Sequence, residues 1–555
     1  MTDHEITVQL DLTIPMRDDV QLYGVLYRPS TGNRFPTLLI RSIYGTQFPR
    51  YVEWAERFAK HGYAVVMQDS RGRYESDGKF DPYVCEINDG YDTQTWVSKQ
   101  SWCDGNIGLF GVSYPGFQQI LPAPFRCPAV KAMVPIAHQE DNYGHHRWDG
   151  VLQIQNAMHW LWIGDRITQD AHEVHFRWDD LFSRLPLISA LDDVGNRPFY
   201  RDVVRHYRFD DFWKAATMKG KYSEVETPAY FITGWYDNLV REVIKVFTHW
   251  KAEARTSEAR DKTRLLVGPW PHMPMGTGEP FGDITFGGDA GANMPDVHLP
   301  WFDQRLRGIN TGIDDQPPVR LFVMGENVWR DENEWPLART EFTNYFLHSD
   351  GHANTVDGDG TLDLKIRSKE SPDSFVYDPL NPVPTVGGQS LLNETLGPRD
   401  RQSVEKRSDV LVYSTPTLEA DLEITGPIEL ILYAASSATD TDFTATLIDV
   451  HPNGKAIIIC EGIVRARFRD SYEEPALIEP GRIYKYSIVL SETSNLFKAG
   501  HCLRLEVSSS NFPRFERNQN TGTQPGLDDV IEIAHQTIYH STVHPSHIAL
   551  PVIPR

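Results

Sequence analysis

The 555-residue sequence is short of cysteine. Its five residues, Cys85, Cys103, Cys127, Cys460 and Cys502, are scattered, odd in number and form no C-x-x-C pair. This spacing argues against a disulfide framework and against a cysteine-based zinc ribbon. Long apolar runs are also missing, so no stretch reads as a transmembrane helix. The opening MTDHEITVQL has no basic patch leading into an apolar core, so no signal peptide is read and a cytoplasmic protein is expected. Basic residues are outnumbered, 54 against 76 acidic, giving a formal net charge of -22. Such a balance repels phosphates and disfavours nucleic acid and anionic membranes as partners. What is present is core-forming material: 40% hydrophobic and 11% aromatic residues, in a chain too long for one ordinary domain.

The first third alternates apolar runs with helix-length segments. The runs are TLLI (37–40), AVVMQD (64–69), IGLFG (107–111) and VKAMVPIA (130–137), followed later by AYFITG (229–234), RLLVGP (264–269) and VRLFVMG (319–325). Continuous apolar strands separated by helices indicate a parallel sheet covered on both faces. Between roughly 141 and 225 the rhythm stops, and LQIQNAMHWLWIGDRI is spaced like a helix. After about 340, IELILYA, YKYSIVL and HCLRLEVSSS alternate with period 2 between turn-rich clusters, the pattern of a β-sandwich. The expected division is 1–140 and 226–339 for an α/β domain, 141–225 for a helical cap inserted in it, and 340–555 for the β-sandwich.

Within GLFGVSYPGF (108–117), Ser113 follows an apolar strand and precedes a segment able to start a helix. A G-x-S at such a turn is a nucleophile elbow. Gly111 and Gly116 permit close backbone approach, and Pro115 suits the first turn of a helix. A serine hydroxyl needs a base, and on this architecture the partners follow in the order Ser, Asp, His at strand ends. Asp237 follows AYFITG and His272 follows RLLVGP, which makes His272 the general base and Asp237 its orienting carboxylate. Taken singly, Asp237 is as readily a helix N-cap, and most histidines carry no chemistry. The ordered set at strand ends favours catalysis.

The motifs RSIYG (41–45), QDSRGRYESDGKF (68–80), NDGYDTQTW (88–96), GLFGVSYPG, GWYDN, GPWPH, WFDQRLRG (301–308), TDFTATLIDVHPNGK (441–455), EGIVRARFR (461–469) and SSNFPRFERNQNTG (509–522) run nearly end to end. Together they resemble the serine hydrolase family containing cocaine esterase, X-prolyl dipeptidyl aminopeptidases and α-amino-acid ester hydrolases. The resemblance implies an α/β-hydrolase domain, a helical cap and a C-terminal jelly-roll-like β domain. It assigns nucleophile, acid and base to Ser113, Asp237 and His272, and an oxyanion hole to the Tyr44 hydroxyl and the Tyr114 amide. On its own sequence context, Tyr44 is equally an aromatic packed over a turn. The α-amino-acid ester hydrolases carry Glu and Asp two and three residues after the catalytic aspartate to bind an ammonium. Here Leu239 and Val240 stand there. An ammonium in an apolar pocket is strongly penalised, so uncharged acyl groups are expected. Leu239 is read as pocket wall, and Trp148, Trp160 and Trp162 as an apolar acyl lining or as cap packing.

The expectation is a serine hydrolase that cleaves a small-molecule carboxylic ester through an acyl-enzyme, with no cofactor and no metal. An amidase or acylase, or an X-prolyl dipeptidyl aminopeptidase, is the alternative within enzymes. A non-catalytic ligand-binding protein using the β-sandwich is the alternative outside them. A homo-oligomer is compatible with the sequence. His138, Glu140, Asp141, His145, His146 and Asp149 cluster in HQEDNYGHHRWDG without standard metal spacing, and Arg71, Arg73 and Asp77 form either an ion-pair network or a solvated loop.

Overall fold

The apolar runs of the N-terminal part are strands of one mixed sheet. The computed structural model describes residues 4–82, 84–164, 177–391 and 395–555, except for the side chains of 162–164. In chain order the strands are β1 (Ile6–Pro15), β2 (Gln21–Pro29), β3 (Phe35–Ser42), β4 (Ala64–Asp69), β5 (Cys103–Val112) and β6 (Val130–Ile136). A short separate hairpin, β7 (Arg147–Trp148) and β8 (Val151–Leu152), precedes β9 (Tyr230–Tyr236), β10 (Arg264–Pro271), β11 (Val319–Val323) and β12 (Val328–Glu332). The ten-stranded order is β1-β2-β4-β3-β5-β6-β9-β10-β11-β12. Neighbours from β4 to β11 run parallel, while β1, β2 and β12 pair antiparallel at the edges.

β4, β9 and β10 are buried along their whole length, as a parallel strand covered on both faces must be. Leu38, Ile40, Val65 and Met67 face the helices Pro49–Lys60 and Met294–Leu306. Leu39, Val66 and Leu109 face Tyr114–Ile120 and Val240–Glu253 on the other side. The helix Pro49–Lys60 buries Tyr51, Trp54, Ala55, Phe58 and Ala59, one stripe at helical spacing. The β1–β2 pair was not among the apolar runs read from the sequence. β1 is exposed along most of its length and bulges between Gln9 and Leu12, so it carries little apolar signal.

Between β6 and β9 the chain forms the β7–β8 hairpin and the helices Asn142–His146, Ile154–Gly164, Trp178–Phe182, Pro198–Arg205 and Asp211–Lys214. Residues 165–176 of the expected cap lie outside the described residues. From Glu341 onward the regular structure is β, in a thirteen-stranded, almost wholly antiparallel arrangement. Alternating burial along Asp373–Tyr377 and Glu429–Ser436 aims one side of each strand at a core containing Leu430, Leu432, Phe443, Leu505 and Ile548. Among the described residues no helix is long and apolar enough to cross a membrane.

A buried polar cluster in this β region makes stability depend on pH. His540 Nε2 lies 3.0 Å from Asp373 Oδ2, and its Nδ1 lies 3.2 Å from Glu370 Oε2. Burial pulls the imidazole down, but Asp373 and Glu370 together hold it above the usual histidine value. A raised folded-state value means the contribution is complete below the unfolded histidine range and is lost as pH rises through the folded value. His540→Gln should destabilise by roughly 3–5 kcal/mol in mildly acidic buffer, the usual cost of breaking a buried pair. The gap from the parent should narrow as pH is raised. Thermal unfolding of both proteins across pH 6 to 9 checks this, and a gap that stays constant removes the account.

Candidate active site

The end of β5 is shaped for a protruding nucleophile. Ser113 adopts φ 67° and ψ -127°, a left-handed conformation that costs a non-glycine residue of order 1–3 kcal/mol. Its amide donates to Ile136 O on neighbouring β6 at 2.8 Å, which fixes the turn. A Cβ on Gly111 would lie 2.6 Å from Pro115 Cβ, and one on Gly116 2.9 Å from Ile136 O, so both positions need glycine. Pro115 sits in the first turn of Tyr114–Ile120, as the sequence suggested.

Two more strand ends complete a hydrogen-bonded chain. His272 follows β10, and its Nε2 lies 3.1 Å from Ser113 Oγ. Its Nδ1 lies 2.9 Å from Oδ1 of Asp237, which follows β9. Asp237 is fully buried, and two further donors satisfy it: the Leu239 amide reaches Oδ1 at 2.9 Å and Thr233 Oγ1 reaches Oδ2 at 2.9 Å. With its lone pairs occupied by fixed donors, the carboxylate holds one imidazole orientation.

Tyr44 stands across from this chain. Its hydroxyl lies beside Ser113, the Trp160 indole and the Tyr114 backbone amide. Burial holds the phenol above its ordinary pKa, which keeps the proton on as a hydrogen-bond donor. The loop carrying Tyr44 is held from three sides. Thr46 N donates to Asp69 Oδ1 at 2.7 Å, Tyr44 N donates to Ser42 Oγ at 2.9 Å, and Arg73 Nε and an Nη donate to Ile43 O at 3.1 and 2.8 Å. Burial pushes the Asp69 carboxyl up to about 7. Thus Arg73 of the charged loop is buried beneath Tyr44, whereas Arg71 pairs with Asp89 and Asp18.

A cavity of about 250 Å³ opens on Ser113 and His272. Tyr44, Phe48, Tyr51, Val112, Trp160, Met273 and Leu391 give it an apolar wall, and Asn156, Asn238 and His145 add uncharged polar groups. Burial drives the His145 imidazole down to about 3, with nearby His272 adding to the shift, and neither ring nitrogen has a hydrogen-bond partner among the described residues. Among the described residues Arg50 is the cavity's only full charge and no carboxylate lines it, while His159 adds a second imidazole. A second cavity of about 320 Å³ shares Asn238 but is lined by Arg147, Arg241, Asp149, Glu242 and Lys245 and lacks Ser113.

Of the side chains expected to bind substrate, Trp160 lines the Ser113 cavity. Two others require correction. Trp148 belongs to the second cavity and packs on Val151, Ile463 and Phe515, with the guanidinium groups of Arg241 and Arg514 on its ring. Leu239 is fully buried at the start of Val240–Glu253, outside the cavity wall, and serves Asp237 through its amide. The Trp162 side chain lies outside the described residues. The sequence reading missed Phe48, Tyr51, Asn156, Asn238 and Met273. Asn238 and Met273 directly follow Asp237 and His272, a signal that was available.

Comparison with known proteins finds relatives along the whole chain. Residues 18–274 match the family described as X-Pro dipeptidyl-peptidase (S15 family), and residues 311–549 match the X-Pro dipeptidyl-peptidase C-terminal non-catalytic domain. Cocaine esterase of Rhodococcus sp. is 38% identical over 590 aligned residues, covering 100% of both chains. The structure of an α-amino acid ester hydrolase superposes with a TM-score of 0.86 at 25% identity, covering 99% of this chain and 97% of that one. An aminopeptidase from a marine sediment archaeon, Thaumarchaeota archaeon, shares the fold with a TM-score of 0.87 at 22% identity, covering 99% of this chain and 97% of that one. The chain belongs to the serine hydrolase family of cocaine esterase and the X-Pro dipeptidyl-peptidases, with an α/β-hydrolase domain and an all-β C-terminal domain, and is a serine ester hydrolase.

Proposed function

We propose that Ser113, His272 and Asp237 hydrolyse small carboxylic esters with uncharged, largely apolar acyl groups through an acyl-enzyme. The observation that carries this is the continuous chain from Ser113 Oγ through His272 to buried Asp237, opening on an apolar cavity. Ser113 Oγ attacks the ester carbonyl carbon as its proton passes to His272 Nε2. The carbonyl oxygen becomes an oxyanion between the Tyr44 hydroxyl and the Tyr114 amide. His272 gives the proton to the departing alkoxide, and the alcohol leaves. A water then attacks the acyl-serine, passing one proton to His272, which returns it to Ser113 Oγ as the acid departs.

The lack of a carboxylate among the described lining residues supports neutral acyl groups. A peptide N-terminal ammonium bound there would lose its hydration without gaining a counter-charge, which counts against the dipeptidyl-peptidase reading. The acidic balance supports small uncharged substrates over nucleic acid or anionic membranes, and five unpaired cysteines accord with a cytoplasmic setting.

A fluorophosphonate probe should label the chain at one site. Labelling should be lost in Ser113→Ala and be indifferent to chelator. p-Nitrophenyl esters of neutral acids should turn over with kcat/KM about 100-fold above esters bearing an α-ammonium, the scale of an uncompensated charge. Labelling that survives Ser113→Ala, or a preference for the ammonium esters, refutes the reading.

A further inference from the structure

Two turns at one end of the C-terminal β region bring three metal-binding side chains together. The strand Asp442–Val450 pairs with Cys502–Ser508, with Asp449 opposite Leu503 and Val450 opposite Cys502. The turn leaving the first strand carries His451, closed by His451 N–H to Lys455 O at 2.8 Å and Gly454 N–H to His451 O at 2.9 Å. The turn entering the second carries His501, whose N–H donates to Lys498 O at 3.0 Å. Strand register therefore sets both imidazoles beside the Asp449 carboxylate. His501 Nδ1 lies 2.7 Å from Asp449 Oδ1, and His451 Nε2 lies 3.7 Å from Asp449 Oδ2. One donor atom from each residue falls within 4.8 Å of the other two.

These residues form one wall of a cavity of about 230 Å³, separate from the Ser113 cavity. The facing wall comes from the N-terminal half: Tyr236, Ile284, Thr285 and Phe286. Asn495 also lines the cavity, is only 3% exposed, and has a side-chain nitrogen without a hydrogen-bond partner. An unsatisfied buried donor costs roughly 1–3 kcal/mol, so the site is incomplete as it stands.

We propose that Asp449, His451 and His501 bind one divalent transition-metal ion of the zinc class. Two imidazole nitrogens and one carboxylate oxygen suit Zn²⁺, Co²⁺ or Ni²⁺ better than Ca²⁺ or Mg²⁺, which take mainly oxygen ligands. Tetrahedral ligands about 2.0–2.2 Å from a metal stand about 3.3 Å from one another. The Asp449–His501 contact opens by a few tenths of an ångström, and the Asp449–His451 contact closes by a similar amount. The metal takes the place of the Nδ1 proton that His501 shares with Asp449, and His501 then carries its proton on Nε2. The fourth position falls to a water or small anion in the cavity, the acceptor that Asn495 lacks. Lys498 also lines the cavity but is exposed, and its flexible ammonium can extend into solvent. No ligand touches the ester site. The cavity lies at a junction where the Tyr236 hydroxyl donates to Ile458 O at 3.0 Å.

The test uses the full chain, stripped with chelator and titrated with ZnCl₂ and CoCl₂ by calorimetry. One ion per chain should bind and raise the thermal midpoint, leaving p-nitrophenyl ester hydrolysis unchanged. The double variant His451→Gln/His501→Gln, and His451→Gln alone should the double fail to fold, should lose the binding and the metal-dependent stabilisation while keeping ester hydrolysis. No Zn²⁺ binding at micromolar concentration means the hydrogen-bonded Asp449–His501 pair is complete without metal and overturns the proposal. Equal binding by parent and His451→Gln places the ion elsewhere and overturns it too.

Discussion

His272→Gln should lower kcat for ester hydrolysis by about 10⁶-fold, the scale found when the base of such a triad is removed. Glutamine keeps a donor for Asp237, so the buried carboxylate is not stranded, but it cannot take a proton. Two other imidazoles line the cavity: burial drives His145 down to about 3, too weak to accept the Ser113 proton, and the His159 ring stacks on Trp178 with centroids 3.9 Å apart. The loss should therefore be nearly complete, with the thermal midpoint close to that of the parent. Combining the change with Ser113→Ala should cost little more than either alone, because the two side chains act as one unit. Residual kcat within tenfold of the parent, or fully additive losses, would falsify the assignment of His272 as the base.

The second large effect is expected from Tyr44→Phe, a kcat loss of about 10²–10³, or 2.7–4 kcal/mol, with KM nearly unchanged. Only one hydroxyl is removed. Its loop stays in place, because Asp69, Ser42 and Arg73 hold the backbone at Thr46, Tyr44 and Ile43 rather than the phenol. The donor matters most when charge has developed on the carbonyl oxygen, so the deficit belongs in kcat. The phenol pKa is raised by burial, so Tyr44 stays protonated past the ordinary tyrosine range and imposes no alkaline fall in kcat within it. A deficit confined to KM would show that Tyr44 packs against the ground-state acyl group without binding the oxyanion. The two variants separate the base from the oxyanion donors, which a single knockout cannot do.

The residues of the hydrogen-bonded chain were legible because each is tied to a strand end. A buried parallel strand announces itself as a continuous apolar run, and the residue after it must lie at the carboxyl edge of the sheet. Ser113, Asp237 and His272 are all of that kind. The substrate wall was less legible. Trp148 and Trp160 are twelve residues apart in one aromatic-rich segment, yet Trp160 faces Ser113 while Trp148 turns toward Ile463 and Phe515 of the β region. Local periodicity cannot separate them, because the partner that buries Trp148 lies more than three hundred residues away in the chain. Leu239 shows the opposite failure. It sits two residues from Asp237, but the helix beginning at Val240 turns its side chain inward and leaves only its amide at the site. Phe48 and Tyr51 enter the wall from the start of a helix whose stripe reads, in sequence, as plain core packing.

The sequence by itself determined the layer architecture, the glycine-flanked turn at Ser113 and the strand-end order of Ser113, Asp237 and His272, because hydrophobic period and glycine placement act over a few neighbouring positions. Only the tertiary structure decided which aromatics line the Ser113 cavity, that Arg73 lies buried beneath the Tyr44 loop, and that Asp449 and His451 meet His501. Those outcomes depend on which distant surfaces bury one another, and burial against a remote partner leaves no local signature in the chain.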